Sequence, residues 1–389
     1  MSPGWRERAI RILEIVCWAA MALFLIQAFH RAYRPYGYDL TPRLVAARAL
    51  VNGLDPYKVA TPFPLTYPLF ICVILLPLAW LPYWAANLAW FLISLACVLL
   101  SMRVVLRLVN PQLSRRELRQ VAVLCFLPLT NVVQSNFVNG QVNFLVLALC
   151  VLFFKSLLQR QPSAAGLLLG AAVAVKLTPL ILAVYLLVRR EWAALWWTGL
   201  GVLLFVFVLP YALGGPAVLD YYRGYFHGYV IPALGSGGTH DVSGAFALSS
   251  YLRVLVPFLP GLALLLVSSA LVLTPLVFLQ LRASSTHSTR VQVLLFSAYL
   301  VASLLILPIS ETHHLAALFP ALLVLTWYFL MEDGAPRARG MVPLAAAFLL
   351  LLLGQLSFAF YFAAIGTLYV LLCYLSAGAR CDRGSSLAL

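Results

Sequence analysis

Apolar runs long enough to cross a bilayer as helices, about 20 residues each, recur along almost all of this 389-residue chain. Only 10% of the residues are charged and 63% are hydrophobic, whereas a soluble domain carries about 25% charged residues. The composition therefore excludes a soluble enzyme, and the length accommodates about 11 to 13 membrane-spanning helices in one domain over residues 1–389. The short alternating segments of a membrane β-barrel are not visible, so the predicted fold class is all-α.

Two of the apolar runs are interrupted, which affects the number of helices. The run from residue 164 to 188 contains Lys176 and Pro179, and a charged residue flanked by apolar segments marks a functional site in a membrane protein by default. We expect a hairpin with Lys176 at its outer tip, or else a snorkelling side chain. The last run, residues 341–376, is long enough for two helices that meet near Gly354–Ser357.

The charge balance indicates orientation in a membrane and does not require a nucleic acid partner. The chain has 26 Lys and Arg against 12 Asp and Glu, a formal net charge of +14. Basic loops of membrane proteins face the cytoplasm and its anionic lipids. Arg189 and Arg190 therefore predict a cytoplasmic loop. Alternation of the spans in the second half of the chain then places residues 214–255 outside. The first loop, residues 30–67, is also predicted to lie outside.

One basic cluster disagrees with a simple alternation of spans. The arginines between residues 103 and 119 should face the cytoplasm, yet two spans counted from the outer loop at residues 30–67 would place them outside. Either one segment between residues 68 and 134 is re-entrant or the charge rule fails locally.

The first outer loop contains a predicted helix. Thr41 can cap its start with Pro42 at the first helical position, and the sequence Asn52-Gly53 predicts its end. Apolar residues recur at helical spacing on one side, and Arg43 and Arg48 alternate with them. This pattern is typical of a short amphipathic helix that lies flat on the membrane surface.

The distribution of acidic residues limits the chemistry. No lysine follows a glycine as in a phosphate-binding loop, and no two aspartates are separated by one residue as in nucleotide-sugar transferases. Asp39 lies in the first outer loop among several cations, an arrangement suited to a group transfer in which a carboxylate accepts a proton and cations stabilise a leaving phosphate. Alternatively, Asp39 only pairs with Arg34 or Arg43, and Asp55 is a turn residue.

Several short motifs follow one another along the chain. They are Asp39 with Gly53-x-Asp55-Pro56-Tyr57 and Tyr67-Pro68, then Asn139-Gly140-Gln141-Val142-Asn143, then Ala165–Gly170 leading to Lys176-Leu177-Thr178-Pro179, then Arg189-Arg190-x-Trp192, and finally Pro308-Ile309-Ser310-x-x-His313-His314. In this order and spacing, over residues 12–330, the chain resembles glycosyltransferase family 87 of the GT-C superfamily of integral membrane enzymes.

The resemblance implies a GT-C-type fold and a specific reaction. It implies transfer of a hexose, typically mannose, from a polyprenyl-phosphate donor to a lipid-linked or glycan acceptor, with inversion at the anomeric carbon. The reaction would take place on the periplasmic or extracytoplasmic side of the inner or plasma membrane. The acidic residue of the first outer loop, Asp39, corresponds to the general base. A metal or other cofactor is not indicated.

We assign the remaining candidate residues to two groups. The donor-phosphate group comprises Lys176, His313, His314, Arg34 and Arg43, and the sugar or acceptor group comprises Gln141, Asn143, Asp55 and Tyr57. Alternatives stay open, because Gln141 and Asn143 also suit a polar contact between helices. The two histidines suit a metal, a phosphate or a helix cap, and Glu311 is the acidic residue near them.

Two other functions are compatible with the sequence. A lipid or solute transporter would use the polar loops as a gate and Lys176 as a counter-charge, but transporters usually have paired halves with broken helices at equivalent positions, and only the break near Lys176 and Pro179 is visible. An inactive scaffold of the same fold is the second alternative.

Overall fold

A computed structural model describes residues 3–33, 39–236, 246–283, 288–307, 311–331 and 337–378. Within these ranges every regular element is a helix, which confirms the all-α prediction. The helices are α1 (Pro3–Ala32), α2 (Leu40–Val51), α3 (Phe70–Ala79), α4 (Tyr83–Val109), α5 (Arg115–Phe126), α6 (Thr130–Val138), α7 (Asn143–Leu158), α8 (Pro162–Val175), α9 (Ile181–Arg189), α10 (Trp192–Val202), α11 (Leu209–Gly214), α12 (Val218–Tyr225), α13 (Ile231–Ser236), α14 (Leu248–Leu255), α15 (Gly261–Ala283), α16 (Thr289–Ile306), α17 (Phe319–Met331), α18 (Arg337–Leu353) and α19 (Phe358–Gly378).

The described helices have the lengths and composition of a multi-pass membrane protein. Seven stretches are long and apolar enough to cross a membrane, namely Tyr83–Val109, Arg115–Val138, Trp192–Gly214, Gly261–Ala283, Thr289–Ile306, Thr312–Leu330 and Phe358–Ala377. Five shorter apolar helices lie among them. The predicted break in the last apolar run is also present, since α18 ends at Leu353 and α19 begins at Phe358. The prediction of a polytopic membrane protein is therefore confirmed.

Helix α2 ends where the sequence predicts it, but it begins earlier and only one of its two arginines faces outward. It runs from Leu40 to Val51, between Asp39 and Asn52, so Thr41 lies inside the helix and does not cap it. Arg43 is only 2% exposed and is buried together with Leu40 and Leu44. Arg48 is exposed, so the predicted amphipathic pattern is correct for Arg48 and wrong for Arg43. The reason is that buried acceptors in the bundle compete successfully with water for the Arg43 guanidinium.

Helix α3 accounts for the basic cluster that disagreed with the alternation of spans. It has 10 residues and contains Pro77, so at 1.5 Å per residue it is about 15 Å long. That length covers about half of a bilayer core, whereas the following helix α4 has 27 residues. Helix α3 is therefore too short to cross a bilayer by itself, as the alternative of a re-entrant segment requires. The arginines at residues 103–119 then lie at the opposite end of α4 from the first loop.

The two loops that the sequence predicts to lie outside pack against each other through tyrosines of α12. The Tyr221 hydroxyl donates to the Gly53 carbonyl at 3.0 Å, and the Tyr225 hydroxyl donates to the Thr66 carbonyl at 3.3 Å. The Tyr225 ring also stacks on Tyr57, with the ring centroids 5.0 Å apart. These two hydrogen bonds and the ring stacking therefore hold α12 of the second loop against the first loop. Residues 237–245 of the second loop lie outside the described ranges.

Helices α8 and α10 approach each other closely because glycines line their contact. A Cβ atom on Gly166 would lie 2.5 Å from the Ala194 carbonyl oxygen and 2.7 Å from the Thr198 nitrogen. A Cβ atom on Gly170 would lie 2.8 Å from the backbone of Gly201. Small residues at such contacts are the usual means of tight helix packing in membranes.

The same contact determines the direction of the chain around Lys176. Because Gly166 lies against residues 194–198 and Gly170 against Gly201, α8 and α10 run parallel. The intervening segment through α9 must therefore run back in the opposite direction. Helix α8 ends at Val175, and Lys176 itself is extended, with φ −155° and ψ 132°. The predicted hairpin is thus present, with Lys176 at the reversal.

We predict that Gly166→Ala lowers the stability of the bundle, because its new methyl group would overlap backbone atoms of α10. Overpacking of this kind costs about 1–3 kcal/mol. The matched control is Gly199→Ala on α10, where an added Cβ meets nothing within 4 Å. Thermal unfolding of the purified protein in detergent checks the prediction. Equal melting temperatures for the two variants would contradict it.

Candidate active site

Asp39 lies directly before α2 and is held by the turn that follows α6. Its backbone N–H donates to the Asn139 carbonyl at 3.3 Å. Its carboxylate accepts a hydrogen bond from the Gln141 side-chain amide and lies 3.7 Å from the Arg43 guanidinium. The side chain nevertheless remains 30% exposed. The pairing with Arg43 that the sequence offered as an alternative therefore exists, and it leaves part of the carboxylate accessible to a ligand.

Arg43 fixes this region by donating in several directions. One turn after Asp39 on α2, it donates to the Gly140 carbonyl at 2.8 Å, to the Gln141 side-chain oxygen at 3.1 Å and to the Tyr67 hydroxyl at 3.2 Å. Its guanidinium carbon also lies 4.6 Å from the centre of the Tyr67 ring. A buried cation requires compensation of this kind, so the first loop is attached to the bundle at a defined position.

Gly140 explains why the Asn139-Gly140-Gln141 motif contains a glycine. Its φ is +60°, a conformation that favours glycine, and a Cβ atom there would lie 2.7 Å from the Leu40 Cβ. The turn exposes the Gly140 carbonyl to two donors, Arg43 and the Trp90 indole at 2.9 Å. The glycine thus allows α2 to pack closely against the end of α6.

Lys176 begins a second chain of polar contacts beside the first. Its ammonium group donates to the Asn143 side-chain oxygen at 2.8 Å and lies 5.8 Å from the centre of the Tyr67 ring. Asn143 in turn donates to the Asn136 side chain at 3.0 Å, and Asn136 donates to the His313 carbonyl at 3.0 Å. The sequence places these residues on four separate segments, and the fold brings them together next to Tyr67.

The two histidines share a turn with an acidic residue. Glu311 lies 3.3 Å from His313, oxygen to Nδ1, and its backbone N–H donates to the His314 Nδ1 at 3.2 Å. Loss of solvent raises the pKa of Glu311 above its ordinary value, and the nearby negative charge of Asp39 raises it further. Glu311 thus lies within electrostatic reach of Asp39. In the described ranges, no group of three or more His, Cys, Asp or Glu residues is placed to hold a metal ion.

A narrow groove of about 40 Å³ begins at this polar cluster. Its polar lining comes mainly from Asn143, Lys176 and His314. The remainder of its lining is largely apolar, with residues Val146, Leu147, Cys150, Pro179, Leu300, Leu304, Leu307 and Ala317. The lining matches an amphipathic anion in its chemistry, with a cation at the polar end and apolar side chains beyond it, and a whole lipid ligand requires the groove to widen.

Three of the residues predicted from the sequence are not part of this cluster. The Asp55 carboxylate accepts from the Tyr57 backbone at 3.0 Å and pairs with Lys58 at 3.2 Å. The Tyr57 hydroxyl donates to the Tyr67 carbonyl at 3.0 Å. Asp55 thus closes a turn, and both side chains support the loop that carries Tyr67. Arg34 lies outside the described residues, and the binding roles of all three stay predictions.

Three residues of the cluster were missing from the sequence-based set. Tyr67 belongs to one of the motifs but was not a candidate site residue. Asn136 lies one helical turn before the Asn139-Gly140-Gln141 motif, and Glu311 adjoins the two histidines. A polar residue next to a recognised motif is the signal that would have found each of them. Only the fold shows that Tyr67 lies between Arg43 and Lys176.

Comparison with known proteins identifies the family. The sequence model of glycosyltransferase family 87 matches residues 65–310, which is more than half of the chain. The chain belongs to glycosyltransferase family 87. The resemblance inferred from the motifs is therefore confirmed, and the family 87 protein is a multi-pass membrane glycosyltransferase. Membership of an enzyme family decides against the transporter alternative.

Curated relatives of this family 87 enzyme extend over most of its length. It is 27% identical over 338 residues to the polyprenol-phosphate-mannose-dependent alpha-(1-2)-phosphatidylinositol mannoside mannosyltransferase of Mycobacterium tuberculosis H37Rv, covering 81% of this chain and 76% of that relative. It is 30% identical over 286 residues to the polyprenol-phosphate-mannose-dependent alpha-(1-2)-phosphatidylinositol pentamannoside mannosyltransferase of Mycobacterium tuberculosis CDC 1551, covering 72% of this chain and 60% of that relative.

We predict that Arg43→Lys destabilises the family 87 enzyme although the positive charge is kept. A lysine has no planar fork and cannot reproduce the hydrogen bonds to Gly140, Gln141 and Tyr67. The loss of two such bonds costs about 1–3 kcal/mol. The measurement is the midpoint of thermal unfolding in detergent. Arg103→Lys, at an exposed arginine of α4, is the control, and a similar midpoint for both variants would rule out the anchoring role of Arg43.

Proposed function

We propose that the enzyme transfers mannose from a polyprenyl-phosphate-mannose donor to a lipid-linked or glycan acceptor, with inversion at the anomeric carbon. The observation that carries the proposal is the groove with Lys176 and His314 among its polar lining and an apolar wall beyond them. The relatives named above are polyprenol-phosphate-mannose-dependent enzymes that act on phosphatidylinositol mannosides. We propose that this enzyme uses an acceptor of that kind, a glycosylated membrane lipid.

The groove supports a specific placement of the donor. The phosphate would lie beside Lys176, His313 and His314, and the prenyl chain would follow the apolar wall, where its burial is favourable. Arg43 and Arg34 add positive potential at the phosphate on this proposal, although Arg43 also supports the turn at Gly140. These cationic side chains balance the charge on the departing phosphate, and we propose that no divalent metal takes part.

The transfer itself requires one base. The acceptor hydroxyl oxygen forms a bond to the anomeric carbon of the sugar, while the bond from that carbon to the phosphate oxygen breaks. The hydroxyl proton passes to Asp39, and the polyprenyl phosphate leaves with the bonding electron pair. A single displacement of this kind inverts the anomeric centre and needs no second carboxylate as nucleophile. Gln141, which donates to Asp39, would orient the carboxylate and contact the sugar together with Asn143.

The distribution of arginines supports a location of the site at the outer surface. Asn143 begins α7 and Lys176 follows α8, so the connection between these helices, with Arg160, lies at the opposite end of the bundle. Arg189 at the end of α9 lies at that end as well. Basic loops face the cytoplasm. We therefore propose that Asp39 and Lys176 lie on the periplasmic or extracytoplasmic side of the inner or plasma membrane.

We predict that Asp39→Asn reduces mannose transfer by about 10²- to 10⁴-fold, because an amide cannot accept the acceptor proton. The assay uses purified enzyme with radiolabelled polyprenyl-phosphate-mannose and a phosphatidylinositol mannoside. Binding of the donor by the variant should stay near that of the wild type. Asp220→Asn, at an exposed aspartate of α12, is the control. Retained turnover by Asp39→Asn would remove the base assignment, and no transfer by the wild type would favour an inactive scaffold.

Lys176→Met tests the donor site. We predict a loss of at least about 100-fold in kcat/KM for the donor, because the variant lacks the charge that pairs with the phosphate and leaves the Asn143 oxygen without its donor. Kinetics at varied donor concentration provide the measurement. The matched control is Lys155→Met, at the end of α7 that lies away from Asn143. An unchanged donor KM and kcat for Lys176→Met would contradict the placement of the phosphate.

A further inference from the structure

A second cavity, of about 420 Å³, lies next to the same polar cluster but shares no lining residue with the groove. One side of it is formed by α6 and the turn that follows, with residues Asn131, Gln134, Ser135 and Asn139. Thr312 and Tyr361 line other parts of its wall. Its size lies within the range of typical small-molecule sites, about 300–1,000 Å³. We call it the amide cleft, after the asparagine and glutamine side chains that line it.

The polar side of α6 needs an explanation in a membrane protein. Residues 131, 134, 135 and 139 recur at helical spacing and so share one face, and all but the last lie within a stretch that is apolar enough to cross a membrane. Polar residues in such a stretch face a cavity or a partner because exposure to lipid is costly. A different residue of α6, Asn136, makes the contact with the polar cluster around Lys176, by donating to the His313 carbonyl.

The chemistry of the lining points to a ligand with many hydroxyl groups. Asparagine, glutamine, serine and threonine side chains both donate and accept hydrogen bonds, as sugar hydroxyls do. The lining contains no carboxylate, and Arg31 is its charged residue. An apolar ligand would leave these groups without partners, whereas hydroxyl groups can replace the water that the open cleft admits. Tyr361 is almost fully buried and lies beside Asn131 and Thr312 at the wall of the cleft.

The position of the amide cleft relates it to the proposed base. Asn139 lines the cleft, and its carbonyl accepts the Asp39 backbone N–H at 3.3 Å. In the 311–314 turn, Thr312 lines the amide cleft, whereas His314 lines the donor groove. The two cavities therefore both border this turn. Asp39 is attached to the cleft through Asn139 and lies 3.7 Å from Arg43 of the polar cluster.

From this arrangement we infer that the amide cleft binds the polyhydroxylated headgroup of the acceptor and presents one of its hydroxyls to Asp39. The inference rests on the proposed transfer reaction and adds the location and chemical class of the acceptor site. The donor and the acceptor then occupy separate cavities that both border the 311–314 turn, and the reacting hydroxyl meets the anomeric carbon at Asp39.

A binding experiment tests the cleft without relying on turnover. The probe is methyl α-D-mannopyranoside, a soluble glycoside without a lipid chain, and saturation-transfer NMR on the purified full-length enzyme in detergent gives its dissociation constant. Gln134→Met keeps the side-chain size and removes its hydrogen bonds, so we expect binding to weaken about fivefold or more. Ser135→Ala is a milder second variant with the same expected direction. Gln112→Met, at an exposed loop residue, is the matched control and should bind like the wild type.

Kinetics separate a failure of the cleft from a failure of the proposed function. With an active wild type, Gln134→Met should raise the KM for the lipid-linked acceptor and leave the KM for the donor unchanged. Equal glycoside affinity and equal acceptor KM in Gln134→Met, Ser135→Ala and Gln112→Met would overturn the cleft assignment. A wild type that binds the glycoside in a Gln134-dependent manner but transfers no mannose would overturn the proposed function and support the cleft.

Discussion

The buried guanidinium of Arg43 is the contact on which the site depends. It joins α2 of the first loop to the Gly140 turn after α6, and to Tyr67 just before the short helix α3. A cation at 2% exposure is stable only where several acceptors meet it. These acceptors come from segments about 25 and 100 residues away along the chain. Their convergence therefore fixes Asp39, one helical turn earlier, relative to the rest of the bundle.

The surrounding helices are arranged so that irregular backbone lies at the ends of apolar segments. The extended Lys176 separates α8 from α9, and a 3₁₀ helix, Thr312–Leu318, precedes α17. Such departures from α-helical geometry are tolerated in a membrane protein where protein or a cavity surrounds them. Here the donor groove and the amide cleft both border the 311–314 turn. The same irregular segments thus provide the polar groups of the site and the space for its ligands.

The sequence predicted the fold and part of the site for identifiable reasons. Periodic apolar runs and the Asn52-Gly53 signal are local, so the helical class and the end of α2 could be predicted. Lys176 was conspicuous because a lone charge within apolar sequence is costly. The environment of Arg43 could not be predicted, since its spacing with Leu44 and Val45 resembles that of a surface helix, and its burial depends on acceptors from distant segments. Glu311 and Asn136 were missed although each adjoins a recognised motif, because only the contacts that the fold gives them show that they belong to the site.

What the sequence alone determined is the class of molecule: a membrane-embedded helical chain with the ordered motifs of family 87, because hydropathy and motif spacing are local properties that each segment carries with it. Only the tertiary structure decided which residues meet. It placed Tyr67 between Arg43 and Lys176 and put two separate cavities beside one turn. The physical reason is that buried hydrogen bonds between distant segments, such as that from Arg43 to Gly140, depend on how whole helices pack.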